Sequence, residues 1–181
     1  EKINEYLESH RKDLDGIYIS GGEPLMHEGV VSFLQYAKTL NYKIKIHTNG
    51  MFYERLKTIL AQKLVDHVSL DIKNAPSAYA KTCGVEDMDL KDIEKSLDLL
   101  KQSVVPYDIC VTLVDELHNQ ATIEELGEWI QGVDTVILQP FEDRETTIDH
   151  SLHRPSFKVV LKYKKIFEKY VKHVKIRGDQ A

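Results

Sequence analysis

The residues best suited to chemistry in this chain are Ser20-Gly21-Gly22-Glu23-Pro24, which follow a short apolar strand and precede a helical pattern. Two adjacent glycines let the backbone turn sharply and approach a ligand with no Cβ in the way. The proline fixes its own φ and has no N–H, so the turn has little freedom. Glu23 is therefore predicted to lie at the carboxyl end of a strand, where α/β folds bind their ligands.

Three later strands of the chain also end in polar residues. The second strand ends in His47, Thr48, Asn49 and Gly50, and the third carries Ser69, Asp71 and Lys73. The last ends in Gln139 and Glu142, with the aromatic Phe141 beside them. In a parallel barrel the strand ends meet on one face, so these residues are expected to line one pocket. Such a mixture of donors, acceptors, an ammonium and carboxylates suits a zwitterionic amino acid joined to a nucleoside, without identifying one.

Each of these motifs also has a purely structural interpretation. Thr48-Asn49-Gly50 is a common turn sequence because Asn and Gly tolerate positive φ, and His47 is a candidate cap for that turn. Asp71 and Lys73 are spaced for a surface ion pair worth less than about 1 kcal/mol. His150 and His153 stand in an acidic loop, where two histidines are more often solvated than bound to zinc. The order of the motifs, rather than any single one, favours a ligand site.

The elements that must position these residues alternate between strand and helix. Apolar periodicity predicts helices over 1–12, 28–40, 52–62, 89–103, 121–131 and 156–171. Strands are predicted over 16–20, 43–47, 65–73, 107–114 and 133–139, with a further candidate at 174–178. A loop is predicted through Pro76 and Gly84. Successive βα units imply parallel strands with right-handed crossovers, so the predicted fold class is α/β, an open or partial barrel.

Composition limits the classes of protein to which the chain can belong. Its 181 residues suggest one domain, over 1–181, and the net charge of −5 comes with no basic block that would indicate a nucleic-acid partner. No apolar run of about 18 residues suggests a membrane span. Cys83 and Cys110 are far apart, which disfavours a disulfide scaffold and predicts two reduced thiols in a cytoplasmic protein, Cys110 within a buried strand.

The order of the motifs resembles that of the radical S-adenosylmethionine (SAM) enzymes that activate glycyl-radical proteins. Those enzymes run Gly-Gly-Glu-Pro, Asp-Thr-Asn-Gly and Asp-Ile-Lys or Asp-Leu-Lys, each ending a strand. This chain has Gly21-Gly22-Glu23-Pro24, His47-Thr48-Asn49-Gly50 and Asp71-Ile72-Lys73, and 64–73 and 136–141 are also similar. The resemblance is greatest to the activating proteins of anaerobic ribonucleotide reductase, and it extends to pyruvate formate-lyase activating enzyme. It implies a partial (β/α)6 TIM-like barrel of parallel strands with the first strand missing.

The resemblance also implies roles in binding SAM. Backbone carbonyls around Gly21 and Gly22, with the Glu23 side chain, would meet the methionine ammonium, and Lys73 would pair with the methionine carboxylate. Asp71 would lie near that carboxylate or help to bind a monovalent cation. The expected cofactor-binding set is Ser20, Gly21, Gly22, Glu23, Pro24, His47, Thr48, Asn49, Asp71, Lys73, Gln139 and Glu142, with Thr48 and Asn49 at the pocket floor and Glu142 near the ribose.

Two departures from the family pattern matter. His47 replaces an aspartate, and imidazole is a poor ligand for a hard cation that prefers oxygen. The family also holds a 4Fe-4S cluster with Cys-x3-Cys-x2-Cys before Gly-Gly-Glu-Pro, and these residues do not contain that motif. We therefore expect an N-terminally truncated, inactive fragment with the cluster cysteines upstream of Glu1, and with no catalytic residue or metal ligand of its own. A relative that has lost its cluster is the alternative.

For the intact protein, the resemblance implies reductive cleavage of SAM to a 5′-deoxyadenosyl radical, which takes hydrogen from a glycine of a large partner. The expected partner is a glycyl-radical enzyme such as anaerobic ribonucleotide reductase, with flavodoxin or ferredoxin as the reductant. Two alternatives remain open. One is a radical SAM enzyme acting on a small molecule, such as a deazapurine synthase, and the other is a non-catalytic nucleotide-binding barrel.

Overall fold

The structure of the protein is a computed structural model, and it describes residues 2–145, 147 and 149–178. Contacts between residues divide the chain into two compact units. Unit 1 comprises Glu1–Leu70 and Lys91–Tyr107, and unit 2 comprises Asp71–Leu90 and Asp108–Ala181. The prediction of a single domain over 1–181 stays a prediction.

Unit 1 is built from three strands with helices between them. Its elements are α1 (Lys2–Ser9), β1 (Gly16–Ile19), a 3₁₀ turn (Pro24–Met26), α2 (Val30–Thr39), β2 (Lys43–Thr48), α3 (Tyr53–Ala61), β3 (His67–Asp71, its last residue in unit 2) and α5 (Lys91–Lys101). β2 lies between β1 and β3 and is parallel to both, with Ile46 opposite Ile19 and Val68. Alternate residues of β2 are buried, because successive side chains of a strand point to opposite faces.

Unit 2 repeats this arrangement with a second group of three strands. Its elements are α4 (Pro76–Thr82), β4 (Tyr107–Leu113, its first residue in unit 1), α6 (Gln120–Trp129), β5 (Thr135–Pro140), α7 (Phe157–Phe167) and β6 (His173–Ile176). β5 lies between β4 and β6 and is parallel to both. Residues 108–111 of β4 are all buried, as predicted for a strand covered on both faces. α6 begins with a capping box between Asn119 and Thr122.

The sequence predicted most of these elements, and the differences have physical causes. The candidate strand near 174–178 forms as β6, so the described residues contain six strands rather than five. The loop predicted through Pro76 contains helix α4, which begins at that proline and buries only Tyr79, so it has no periodic apolar stripe. The strand predicted over 65–73 ends at Asp71, which leaves Lys73 in the following loop. Within the described residues, no helix is long and apolar enough to cross a membrane.

Candidate functional site

Glu23 holds the loop after β1 against the turn after β2, within unit 1. Its Oε1 accepts hydrogen bonds from the Leu25 N–H (3.0 Å) and the Thr48 hydroxyl (2.7 Å), and its Oε2 accepts one from the Asn49 N–H (2.7 Å). Leu25 is fully buried, and the Arg55 guanidinium donates to its carbonyl. The two strand-end motifs of unit 1 therefore meet, as predicted. The Glu23 carboxylate, expected to face a ligand, already receives three protein hydrogen bonds.

The turn after β2 is closed by its own side chains. Thr48 Oγ1 accepts from the Gly50 N–H (3.2 Å), and Asn49 Oδ1 accepts from the Met51 N–H (3.0 Å). Gly50 has a φ of +79°, and a Cβ there would lie 2.8 Å from the Leu70 side chain, so the position requires glycine in both conformation and space. The buried hydroxyl of Ser96 donates to the Gly50 carbonyl (2.7 Å), which fixes the turn from the side of α5.

The two glycines of the first loop remain open to a ligand. Gly21 and Gly22 are exposed and have φ values of +80° and +44°, and an added Cβ would have no atom within 4 Å other than those of its own residue and its chain neighbours. A pocket of about 310 Å³ is lined by Ser20 and Gly21 and, on the helical side, by Pro24 and Phe33. The loop thus has an anchored second half and an accessible first half.

His47 lies beside Tyr18 of the neighbouring strand. The two residues share a hydrogen bond of 2.8 Å between His47 Nδ1 and the Tyr18 hydroxyl. β1 and β2 are in register with Tyr18 opposite Lys45, so Tyr18, Lys45 and His47 share one face of the sheet. Tyr18 was not among the predicted site residues, because its position beside His47 depends on the register between β1 and β2. The turn for which His47 was a candidate cap is closed by Thr48 and Asn49 instead.

In unit 2, the loop after β3 carries Lys73 on a fixed backbone. The Lys73 ammonium contacts the Asp71 carboxylate, and its side chain is 41% exposed while that of Asp71 is 18% exposed. The ion pair considered from the sequence therefore forms. The Lys73 N–H donates to the Tyr79 hydroxyl (3.3 Å), and the Lys73 carbonyl lies 3.0 Å from Nε2 of His118.

The next residue, Asn74, ties this loop to the loop after β4. It is fully buried, and its amide donates to the Thr82 hydroxyl (2.9 Å) and to the Leu117 carbonyl (2.8 Å). His118, two residues before α6, is 3% exposed, and burial lowers its pKa below the usual range for histidine. Neither Asn74 nor His118 was among the predicted site residues, since an isolated polar residue outside a motif gives no sequence signal.

The last predicted pair, Gln139 and Glu142, lies at the carboxyl end of β5 in unit 2. Gln139 accepts a hydrogen bond from the Arg177 guanidinium (2.7 Å). Glu142 is exposed and pairs with Arg144 (2.6 Å), whose hydrogen bond and charge hold the pKa of that carboxyl below its usual range. The Glu142 carboxylate is therefore engaged by Arg144, and its expected position near the ribose of SAM stays a prediction.

The cysteines and exposed histidines form no metal site among the described residues, where no group of three or more His, Cys, Asp or Glu could hold an ion. His150 pairs with Asp143 (2.9 Å) and His153 with Glu116 (2.6 Å). Cys110 is buried as predicted, and Cys83 is exposed. Burial raises the pKa of Cys110 to about 12, and Asp108 beside it acts in the same direction.

Comparison with known proteins links this geometry to a family. The model of the radical SAM superfamily matches residues 1–130. A Methanocaldococcus jannaschii protein that bears the name of a glycyl-radical enzyme activating enzyme is 30% identical over 169 residues. That alignment covers 90% of this chain and 70% of the relative.

Solved structures show the same fold. A domain of pyruvate-formate lyase-activating enzyme from Bacteroides vulgatus superimposes with a TM-score of 0.70 at 19% identity, over 90% of this chain and 99% of that domain. SuiB from Streptococcus suis, bound to SAM, gives a TM-score of 0.75 at 13% identity, over 98% of this chain and 43% of its own. The predicted α/β class, a partial TIM-like barrel, is confirmed.

Proposed function

This chain belongs to the radical SAM superfamily, and from that premise we propose that it binds SAM and serves in activating a glycyl-radical enzyme. The family implies SAM and a 4Fe-4S cluster as cofactors. The observation that carries the proposal is Lys73, an accessible ammonium on a loop whose backbone is bonded on both sides. The name of the Methanocaldococcus jannaschii relative supports the choice of a glycyl-radical partner.

The glycine loop of unit 1 fits the amino group of SAM. Gly21 and Gly22 are exposed and carry no side chain that would cover the backbone, so we propose that their carbonyls accept from the ammonium. Since Glu23 already receives three hydrogen bonds, we propose that it acts mainly by fixing this loop on Thr48 and Asn49. An ionised carboxylate has about four acceptor sites, so one remains for the ammonium.

The loop after β3 fits the carboxylate of SAM. A lysine ammonium has three N–H donors, so Lys73 can pair with Asp71 and still donate to a ligand. Charge-assisted bonds of this kind contribute about 1.5–3 kcal/mol each, enough to change affinity by at least an order of magnitude. The amino acid end of SAM is the part that Lys73 would recognise.

The residues present do not fit the iron–sulfur cluster. A 4Fe-4S cluster is held by thiolates, and these 181 residues contain only Cys83 and Cys110, the second of them buried. We therefore propose that these residues bind SAM but do not cleave it. In the family, bound SAM supplies hydrogen-atom abstraction after reductive cleavage, a step for which these residues provide binding and orientation alone.

The proposed partner is anaerobic ribonucleotide reductase, and the proposed electron donor for the complete system is a flavodoxin or ferredoxin. Both follow from the order Gly-Gly-Glu-Pro, Thr-Asn-Gly and Asp-Ile-Lys in the sequence. Sedimentation of this chain with a purified anaerobic ribonucleotide reductase is expected to show a complex. Sedimentation with no complex, together with tight binding of a small purine precursor, would favour the small-molecule alternative.

Calorimetric titration with SAM tests the binding proposal. Lys73→Met is expected to weaken SAM binding about 10- to 100-fold, because one charge-assisted bond is lost. Lys172→Met is the matched control, since Lys172 pairs with Asp134 (3.1 Å) just before β5 begins in the same unit. Equal affinities of Lys73→Met and the unaltered chain would refute the role of Lys73. No binding of SAM by the unaltered chain would refute the proposal itself.

A further inference from the structure

The backbone N–H and the backbone carbonyl of Lys73 are both held by side chains of unit 2. The Tyr79 hydroxyl, on α4, accepts from its N–H, and the His118 ring lies 3.0 Å from its carbonyl oxygen. Tyr79 and His118 are 2% and 3% exposed. Both hydrogen bonds are part-buried, with the partner side chains shielded from water, so these two contacts fix where the flexible lysine side chain begins.

A proton on Nε2 of His118 satisfies the contacts of both ring nitrogens. A carbonyl oxygen only accepts, so the Nε2 that faces Lys73 must be protonated. Burial lowers the pKa of His118, which keeps the ring neutral near pH 7 and leaves Nδ1 as an acceptor. Nδ1 lies 3.1 Å from both the Val114 N–H and the Val114 carbonyl oxygen, and with the proton on Nε2 it accepts from the N–H. The ring therefore joins Val114, at the end of β4, to Lys73, beyond the end of β3.

His118 is itself held in place by its backbone. Its N–H donates to the Val114 carbonyl (3.1 Å), and its carbonyl accepts from the Tyr163 hydroxyl of α7 (2.9 Å). The neighbouring Leu117 carbonyl accepts from the Asn74 amide, so a second, part-buried bond runs between the same two loops. Side chains locked in this way keep a binding residue in position more closely than an unsupported loop does.

We infer that His118 is a positioning residue for Lys73: its Nε2–H holds the Lys73 carbonyl so that the ammonium meets the carboxylate of an amino acid ligand. This inference rests on the proposed binding of SAM. His118 does not contact the ligand, and it acts only through the backbone that it fixes. It therefore affects the amino acid end of SAM and leaves the adenosine end alone.

Two ligands and two substitutions separate positioning from general stability. SAM carries the amino acid, whereas 5′-methylthioadenosine keeps the adenosine and sulfur and lacks it. His118→Asn keeps an acceptor near Nδ1 and removes the donor to Lys73, and His118→Gln places an amide N–H near the position of Nε2. His150→Asn is the control, since His150 is an exposed histidine of the same unit.

Calorimetric titration of each variant with both ligands measures whether the loss of affinity is confined to SAM. We expect His118→Asn to weaken SAM binding about three- to tenfold, as for one lost neutral hydrogen bond, with 5′-methylthioadenosine unchanged. His118→Gln should recover most of the SAM affinity, and His150→Asn should match the unaltered chain. An equal loss for both ligands, or no loss for either, would overturn the inference.

Two further variants separate a failure of the proposed SAM binding from a failure of the His118 role. If Lys73→Met binds SAM normally, the proposed binding role fails, whereas a loss in Lys73→Met without one in His118→Asn refutes His118 alone. If His118→Asn does not fold, His118→Phe decides instead, because it keeps a ring of similar size and removes the Nε2 donor to Lys73. His118→Phe must then weaken SAM binding and leave 5′-methylthioadenosine binding unchanged, and any other pattern contradicts the inference.

Discussion

Glu23→Gln tests whether the Glu23 carboxylate fastens the glycine loop to the turn after β2. The carboxylate accepts three hydrogen bonds, at 3.0, 2.7 and 2.7 Å. An amide has one oxygen, so the variant loses the Asn49 N–H bond or else the pair from Leu25 and Thr48. Each bond to a charged acceptor contributes about 1.5–3 kcal/mol, and the half-buried site lets water replace part of the loss. We expect the free energy of unfolding to fall by about 2 kcal/mol, a large share of the total for a small protein.

Urea unfolding of Glu23→Gln, Thr48→Val and the double variant measures this contact directly. Because Glu23 and Thr48 are in contact, a coupling energy of about 0.5–3 kcal/mol is expected between them. Glu28→Gln, at an exposed position of the same segment, should change stability by less than about 0.5 kcal/mol. Strict additivity of the two single variants, or equal losses in Glu23→Gln and Glu28→Gln, would refute the reasoning.

Three further predictions concern stability and reactivity. Gly50→Ala should cost about 2–4 kcal/mol in urea unfolding, because φ is +79° and the new Cβ would lie 2.8 Å from Leu70; a loss under about 0.5 kcal/mol would contradict this. Native iodoacetamide labelling followed by mass spectrometry should modify Cys83 and spare Cys110, whose pKa is raised to about 12 by burial; labelling of both would show that β4 is accessible. Burial lowers the pKa of His118, so below about pH 6.5 the unfolded chain binds a proton that the folded chain does not. The free energy of unfolding should therefore fall more steeply with decreasing pH in the unaltered chain than in His118→Gln. Parallel curves of the free energy of unfolding against pH would argue against a buried neutral ring.

The sequence was sufficient to predict the elements with strong periodicity and the loops that carry motifs. β2 alternates between buried and less buried residues and β4 is buried on successive positions, and both patterns are visible in the residue types. The meeting of Glu23 with Thr48 and Asn49 followed from the rule that parallel strands end on one face.

Other features depend on contacts between residues distant in sequence, and no local pattern contains them. His118 lies 45 residues from Lys73, and its importance comes from one ring nitrogen reaching one carbonyl. Tyr18 and His47 are 29 residues apart and meet only because of the register between β1 and β2. Helix α4 was missed because a short helix with one buried residue shows no periodicity.

The central proposal is that this chain binds SAM and that the loop after β3 recognises its amino acid end, and amide chemical-shift mapping tests it most directly. Addition of SAM to the ¹⁵N-labelled chain should shift the amides of 71–74, with small changes in β6. The same titration with 5′-methylthioadenosine should leave the amides of 71–74 in place. Shifts confined to other regions, or an unchanged spectrum at millimolar SAM, would contradict the account.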